Sequence, residues 1–276
     1  MKRLRRLVRS KSARAHERVF VVDGPRAISV ALESEDEKGQ SCLHEVYVST
    51  EASRAATIAR TLEMAGTAGC RVFQLTADAL EYVGASATSQ GIIGTAGFVD
   101  APLALLRDAE RVLVCVGVRD PGNLGTILRS AVAAGWGGVI CCGGCADVYN
   151  PKAVRASAGA IFRAGLAVEQ EAGSVLRECR SWGMRRIGTD PSKGFDCATM
   201  DWTVPFALVL GNESAGLSKE IFDLVDVTVT VPMAQGLESL NVSMAATVLC
   251  FEATRSLRGT RISCDASHRE SQDAMS

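Results

Sequence analysis

Aromatic residues are scarce in this 276-residue chain, 5% in all, so an extended platform for stacking unpaired bases is not expected. Histidine is scarcer, with only His16, His44 and His268. Among the ten cysteines, Cys141, Cys142 and Cys145 cluster, but no second pair stands at zinc spacing. No metal is therefore expected, and Cys141 and Cys142, which end an apolar run, read as buried thiols. Long apolar runs are missing too. The longest, 112–118 and 206–210, fall far short of the roughly 18 residues that span a bilayer, so no membrane association is expected. No apolar stretch follows the basic start as a secretory signal would require, and the cysteines suit a reducing, cytoplasmic setting. The dinucleotide fingerprint G-x-G-x-x-G is absent. Gly211 and Gly216 have P-loop spacing, but Leu217 stands where the phosphate-binding lysine belongs.

An excess of one charge is also lacking: 30 Lys+Arg stand against 31 Asp+Glu, a formal net of −1. The distribution is uneven. Residues 1–18 carry eight basic groups and one acid, Glu17, a local +7 that leaves −8 for the remainder. Such a segment suits a nucleic-acid contact, although a solvated basic helix with Leu4, Leu7 and Val8 on its apolar side has the same pattern. The Arg- and Ser-containing, acid-poor start also matches an organelle transit peptide.

At this length two domains are expected. Residues 1–97 alternate strand and helix: strands over 19–22, 45–49 and 71–75, helices over 26–32, 52–65 and 77–83. They predict a small parallel or mixed α/β domain. Residues 98–105, with Pro102, read as a linker. Residues 106–260 alternate again, with strands over 111–118, 139–142, 166–168, 186–189, 206–210 and 227–231. Helices are expected over 124–134, 151–159, 174–182, 218–224 and 239–256, with Ser174 and Ser218 as N-caps. This pattern predicts a parallel sheet covered on both faces, with ligands at the carboxyl ends of the strands. Trp136, Trp182 and Trp202 read as core or interface anchors. From Arg261 the chain is polar and aperiodic, and 261–276 is expected to be a disordered tail.

Three post-strand loops stand out. The first is D-P-G-N-L-G-T-I-L-R-S-A from Asp120, where Asn123 can cap a helix that carries Arg129. Turn chemistry, a cap and a solvated arginine would explain it equally. The second is L-V-L-G-N-E-S-A-G-L-S from Leu208, where Glu213 follows a buried strand and must be solvated, paired or functional. The third is V-P-M-A-Q-G-L-E-S-L-N-V-S-M-A-A from Val231. It sets Ser239 and Asn241 at a helix start, as short hydrogen-bonding groups beside the spare backbone N–H groups there; an N-cap is the plainer alternative but does not readily explain both.

In order, spacing and flanking strands, these segments resemble the three motifs of the SpoU (TrmH-like) branch of the SPOUT methyltransferases. The stretch R-A-H-E-R-V-F-V-V-D-G-P-R from Arg14 resembles the family's substrate-binding domain, with Asp23 where Glu is more usual. Gln90-Gly91-Ile92 resembles its domain-closing segment. The resemblance implies an α/β fold: a parallel-sheet SPOUT catalytic domain with a C-terminal trefoil knot, preceded by a small α/β substrate-binding domain. It implies a homodimer formed through the catalytic domain. It implies methyl transfer from S-adenosylmethionine, without a metal, to a ribose 2′-hydroxyl of RNA. Ribosomal RNA is expected ahead of tRNA. A non-catalytic RNA-binding module of the same fold is the competing class.

The resemblance further implies a catalytic set of Arg129, Asn123, Glu213, Ser239 and Asn241. For the cofactor it points to Thr189, Gly211, Asn212, Val231, Met233 and Leu240. The RNA contacts expected are Arg3, Arg5, Arg6, Arg9, Lys11, Arg14, Arg18 and Arg26.

Overall fold

The computed structural model describes residues 1–35, 39–84, 90–235 and 239–273, with side chains to residue 257. The chain forms two compact units. One comprises Met1–Pro102, Val118–Arg129 and Gly144–Leu166; the other comprises Leu103–Gly117, Ser130–Gly143 and Ala167–Ser276. The first unit therefore takes in two segments from beyond the expected boundary near residue 97. The reason is visible in its contacts. Arg155 pairs with Asp23, Arg163 with Glu33, and Arg14 with Asp147. Phe20 packs on Tyr149 and Phe162.

In the first unit, α1 (Lys2–Arg9) and α2 (Lys11–Glu17) lead into β1 (Val19–Asp23) and α3 (Pro25–Glu33). Then follow β2 (Leu43–Ser49), α4 (Ala56–Thr67), β3 (Arg71–Leu75), α5 (Ala77–Val83) and β4 (Ile92–Gly97). The sheet order is β1-β4-β2-β3. β2 and β3 are parallel, while β4 is antiparallel to both its neighbours. The sheet is thus mixed. β4 has no counterpart among the expected strands because glycines interrupt its β-branched Ile92, Ile93 and Thr95. Its small residues answer to packing: a Cβ on Gly94 would lie 2.9 Å from Leu43 Cδ1. The expected linker is pinned instead of free. The Tyr149 hydroxyl accepts from the Val99 and Asp100 N–H groups at 3.0 and 2.8 Å, and its ring stacks on Phe98 at 3.7 Å.

α1 is held by charge as well as by Leu4 and Leu7, which are buried with Val19, Val21, Leu80 and Ile93. Glu45, 6% exposed, accepts from Arg3, Arg71, Tyr47 and Thr95. Burial alone would raise its pKa, but the Tyr47 hydroxyl and the two guanidinium groups outweigh it and hold the carboxyl below its usual range. Arg6 and Arg3 do the same for Glu17. A carboxylate with a depressed folded pKa stabilises fully above its unfolded value of about 4.3 and loses that contribution as pH falls through the folded value. Thermal stability is accordingly expected to fall as the pH drops below about 4.3, and Glu45→Gln to flatten that fall. Parallel Tm–pH curves for the two proteins, by calorimetry, would refute the assignment.

The second sheet contains β5 (Arg111–Cys115), β6 (Gly138–Cys141), β7 (Leu166–Val168), β8 (Arg185–Thr189), β9 (Phe195–Asp196), β10 (Phe206–Leu210) and β11 (Val227–Thr230). Its order is β7-β6-β5-β10-β8-β11-β9, and the ladders from β6 through β9 are parallel. β5 and β10 pair at the centre. Val112 to Cys115 and all of β10 are buried, which explains their unbroken apolar sequence. Cys141 and Cys142 are buried too, and among the described residues no group of side chains could hold a metal ion.

The helices are α6 (Pro121–Ala133), α7 (Pro151–Ser157), α8 (Ala172–Ser181), α9 (Lys219–Phe222) and α10 (Val242–Asp273). Three starts differ from expectation, each because another side chain supplies the cap. α6 begins at Pro121, which needs no hydrogen-bonded N–H, and Asp120 rather than Asn123 caps it, accepting from the Asn123 N–H at 2.9 Å. Glu171 rather than Ser174 caps α8, through the Gly173 and Ser174 N–H groups. α10 starts at Val242 because Asn241 Oδ1 accepts from the Ser243 N–H at 2.9 Å. α10 runs on to Asp273, through residues expected to lack structure. Its first turns are fixed by Ser130 on Thr247, by the Trp136 indole N–H on the Cys250 carbonyl, and by the Thr254 hydroxyl on the Ala134 carbonyl.

Candidate active site

The central strands β5 and β10 are where this sheet reverses direction: the chain leaves β5 toward β6 on one side and returns through β8 on the other. The loops after β8, β10 and β11 frame the carboxyl end of the sheet beside them. A cleft lies on that side. Thr189, Gly211, Asn212, Val231, Met233 and Leu240 all line it, as do Glu213 and Ser239. The floor is apolar, from Leu210, Val229 and Leu249.

The loop after β10 is held in shape by its own residues. Asn212 and Gly216 exchange backbone hydrogen bonds at 3.0 and 2.9 Å, and Gly216 turns the chain at φ +66°. The Asn212 side chain is fully engaged. Its carbonyl oxygen accepts from the Ser214 and Ala215 N–H groups at 3.0 Å each, and its amide donates to the Gly117 carbonyl at 2.8 Å. Asn212 therefore ties the loop after β10 to the loop after β5, a different task from direct contact with a ligand. Glu213 is exposed beside it and accepts from the Asn212 amide at 3.3 Å.

At the end of β8 the Thr189 hydroxyl donates to the Val209 carbonyl at 3.0 Å. Asp190 and Pro191, missed by sequence reading, also line the cleft. The rule that picked the other loops, polar residues directly after a buried strand, would have found them. Burial works to raise the Asp190 pKa, but donors on Ser192 and Lys193 outweigh it and hold the carboxyl below its ordinary value.

Asn241 spends its side-chain oxygen as the cap of α10, on both the backbone and the hydroxyl of buried Ser243. Gly236, Leu237 and Glu238 of the third motif lie outside the described residues. Asn123 and Arg129 belong to the other compact unit, on α6. Asn123 is half-buried in its first turn, and Arg129 is exposed two turns further on. No hydrogen bond or ion pair of the Arg129 side chain is found among the described residues.

The basic N-terminus divides into two kinds of residue. Arg14 is corrected outright as an RNA contact: it is 3% exposed, and its guanidinium is spent on the Leu7 and Val8 carbonyls and on Asp147. Arg3 and Arg6 clamp Glu17. Arg18 reaches Asp100 and lies over the Phe98 ring. Arg5 covers the exposed Tyr82 ring at 4.1 Å. Arg9, Lys11 and Arg26 are exposed. The sum of +7 could not reveal that Arg14 is buried on Asp147 or that Arg3, Arg6 and Arg18 hold ion pairs at the surface.

Comparison with known proteins agrees with this geometry. The model of the SpoU rRNA methylase family matches residues 110–251. The 23S rRNA (guanosine(2553)-2′-O)-methyltransferase RlmP of Bacillus subtilis is 31% identical over 242 residues, 88% of this chain and 91% of its own. The structure of the SpoU methyltransferase AviRb from Streptomyces viridochromogenes, in complex with the cofactor AdoMet, superposes with a TM-score of 0.80. It is 29% identical and covers 94% of this chain and 98% of its own. An AdoMet-bound rRNA methyltransferase from Sinorhizobium meliloti gives 0.78 at 26% identity, covering 93% and 94% of the two chains.

Proposed function

The chain belongs to the SpoU rRNA methylase family, and from that premise we propose that it methylates a ribose 2′-hydroxyl of ribosomal RNA with S-adenosylmethionine. The observation that carries the reading is the convergence of Thr189, Gly211, Asn212, Val231, Met233 and Leu240 on one cleft at the carboxyl end of a parallel sheet. The fit to the cosubstrate is chemical. Apolar side chains can flank an adenine, and strand-end backbone groups can hydrogen-bond its edge. When bound there, S-adenosylmethionine supplies an electrophilic methyl group on a sulfonium, so a metal has no part in the chemistry.

The protein's own contribution is orientation and charge. Arg129 presents a planar guanidinium to the hydroxyl or an adjoining phosphate. The guanidinium stabilises the negative charge that develops on the hydroxyl oxygen as the S–CH3 bond breaks, the O–CH3 bond forms and the hydroxyl proton passes to solvent water. Asn123, on the same helix, orients that arginine, and Glu213 acts on the substrate. Ser239 offers its hydroxyl to the reacting group, and Asn241 fixes the start of α10 beside it. Asn212 serves the cosubstrate indirectly, by shaping the loop.

Residues 1–97 form the RNA-binding domain in this reading, and 106–260 the catalytic domain. The catalytic chain is threaded as a trefoil knot. The return of Leu240 and Val242 to the cleft lined by Leu210 and Thr189 supports that threading. The exposed stripe Met244, Val248 and Phe251 on α10 supports a homodimer. No helix among the described residues is long and apolar enough to cross a membrane, and the proposed place of action is the cytoplasm.

The test is methylation of rRNA by the purified protein, with mass-spectrometric mapping of rRNA and tRNA from cells with and without the gene. One 2′-O-methyl nucleotide of rRNA should depend on the gene. Unchanged ribose methylation in both RNAs would reject the proposal, and a change confined to tRNA would correct the substrate. In the same assay Arg5→Gln with Arg9→Gln should weaken RNA binding and reduce the slope of log K against log salt by about 1.4.

A further inference from the structure

Arg14 occupies an unusual place for a basic residue in a proposed RNA-binding segment. It lies on α2, 3% exposed, and joins three elements at once. One Nη donates to the Leu7 and Val8 carbonyls at 2.6 and 3.1 Å, in the last turn of α1. The Nε and the other Nη grip Asp147 Oδ2, with the Nε at 3.1 Å. The partner is 133 residues away in sequence.

From Asp147 the hydrogen bonds continue without a gap. Its other oxygen accepts from the Tyr149 N–H at 3.0 Å, and its carbonyl from the Asn150 N–H at 2.9 Å. The neighbouring Ala146 N–H donates to the Val118 carbonyl at 2.8 Å, two residues ahead of Asp120. Asn150 caps α7 through the Lys152 N–H at 2.9 Å, and the Lys152 ammonium reaches back to Asp120 Oδ2 at 2.7 Å. Asp120 in turn caps α6 through the Asn123 N–H. Every member of this path lies within one compact unit. α6 carries Asn123 and Arg129.

We propose that Arg14, through Asp147 and the Lys152–Asp120 pair, is a positioning residue that couples the basic α1–α2 segment to the α6 start, and so sets Arg129 for methyl transfer. The inference rests on the assignment of Arg129 to the reaction made above. RNA that docks on α1 through Arg5 and Arg9 pulls on a helix whose carbonyl end is bolted to the loop that frames α6. A point charge cannot replace Arg14. Lysine lacks the fork that reaches two carbonyls and a carboxylate together.

The Lys152–Asp120 link separates this role from a merely structural one. Both partners are largely exposed, 63% and 42%, so its loss should cost little stability. Lys152→Met is expected to keep Tm within about 2 °C, because exposed ion pairs contribute little. It should lower kcat roughly tenfold, as small misplacements of a reacting group do, with the Kd for S-adenosylmethionine unchanged. Arg14→Lys should lower kcat at least as much and speed hydrogen exchange at the Asn123 and Leu124 amides. The double variant should lose less than the product of the two single effects, as members of one path do.

If wild type methylates rRNA and Lys152→Met retains full kcat, or the two losses multiply independently, the coupling is overturned while the functional assignment stands. If wild type methylates no rRNA, both fall. Exchange at the α6 start that is the same in Arg14→Lys and wild type would also overturn the coupling.

Discussion

Arg129→Ala is expected to lower kcat for rRNA methylation by about a thousandfold, the upper end of what one oriented donor contributes to a developing oxyanion. The Kd for S-adenosylmethionine should stay within about threefold, since cosubstrate affinity comes from uniform binding that the arginine does not share. Folding should be untouched: the side chain is exposed and holds no partner among the described residues, and alanine suits an interior helical position. Arg129→Lys discriminates between the two ways a cation can help. Charge alone would preserve most of the rate, whereas two-point orientation of hydroxyl and phosphate needs the guanidinium fork. The expected result is a loss of at least about thirtyfold in the lysine variant, most of the effect of losing an oriented donor. Single-turnover measurements with saturating RNA give the chemical step directly. A lysine variant with full single-turnover rate would remove the orienting role, and an alanine variant with full rate would remove Arg129 from the reaction.

The parts of this molecule that could be read in advance are those dictated by local physics. β5 and β10 had to be central strands, because nothing else buries V-L-V-C and F-A-L-V-L on both faces. Polar residues that directly follow such strands had to reach solvent or a ligand, and after β10 Asn212, Glu213 and Ser214 lie along one cleft. What stayed illegible is which of several neighbouring side chains wins a cap, and which partners distant in the chain take a charge. Asp120 and Glu171 took the caps expected of Asn123 and Ser174, and each makes a second bond. Asp120 also holds Lys152, and Glu171 also holds Arg177. Charge counting was incomplete at the N-terminus. Arg14 is withdrawn from solvent by Asp147, whereas Arg3 and Arg6 stay exposed while they pair with Glu17 and Glu45. β4 escaped because its β-branched Ile92, Ile93 and Thr95 are interrupted by glycine, Gly94 being held narrow by Leu43.

Gly211→Ala carries the other large expected effect, and it comes from packing alone. A Cβ at this buried position would lie 2.4 Å from the Gly216 carbonyl carbon, and 2.6 Å from the Gly216 oxygen and the Leu217 nitrogen. These are backbone atoms and cannot swing aside as a side chain would. To admit the methyl group, the loop must open between Asn212 and Gly216 and give up the paired backbone bonds that close it. The Asn212 side chain would then lose its hold on the Gly117 carbonyl or on the Ser214 and Ala215 amides. Overpacking of this kind costs about 1–3 kcal/mol. Most of it falls on the cleft, so the Kd for S-adenosylmethionine should rise about ten- to a hundredfold. Gly216 gives the contrast. No atom lies within 4 Å of a Cβ built there, and only its φ of +66° favours glycine. Gly216→Asn, which tolerates that region, should bind the cosubstrate within about threefold of wild type, the effect of a strain of a few tenths of a kcal/mol. Calorimetric titration of the three proteins decides the matter. Wild-type affinity in Gly211→Ala would show that the loop is not shaped by this contact. Equal losses in both variants would assign the effect to backbone conformation in place of the close approach of Gly211 to Gly216.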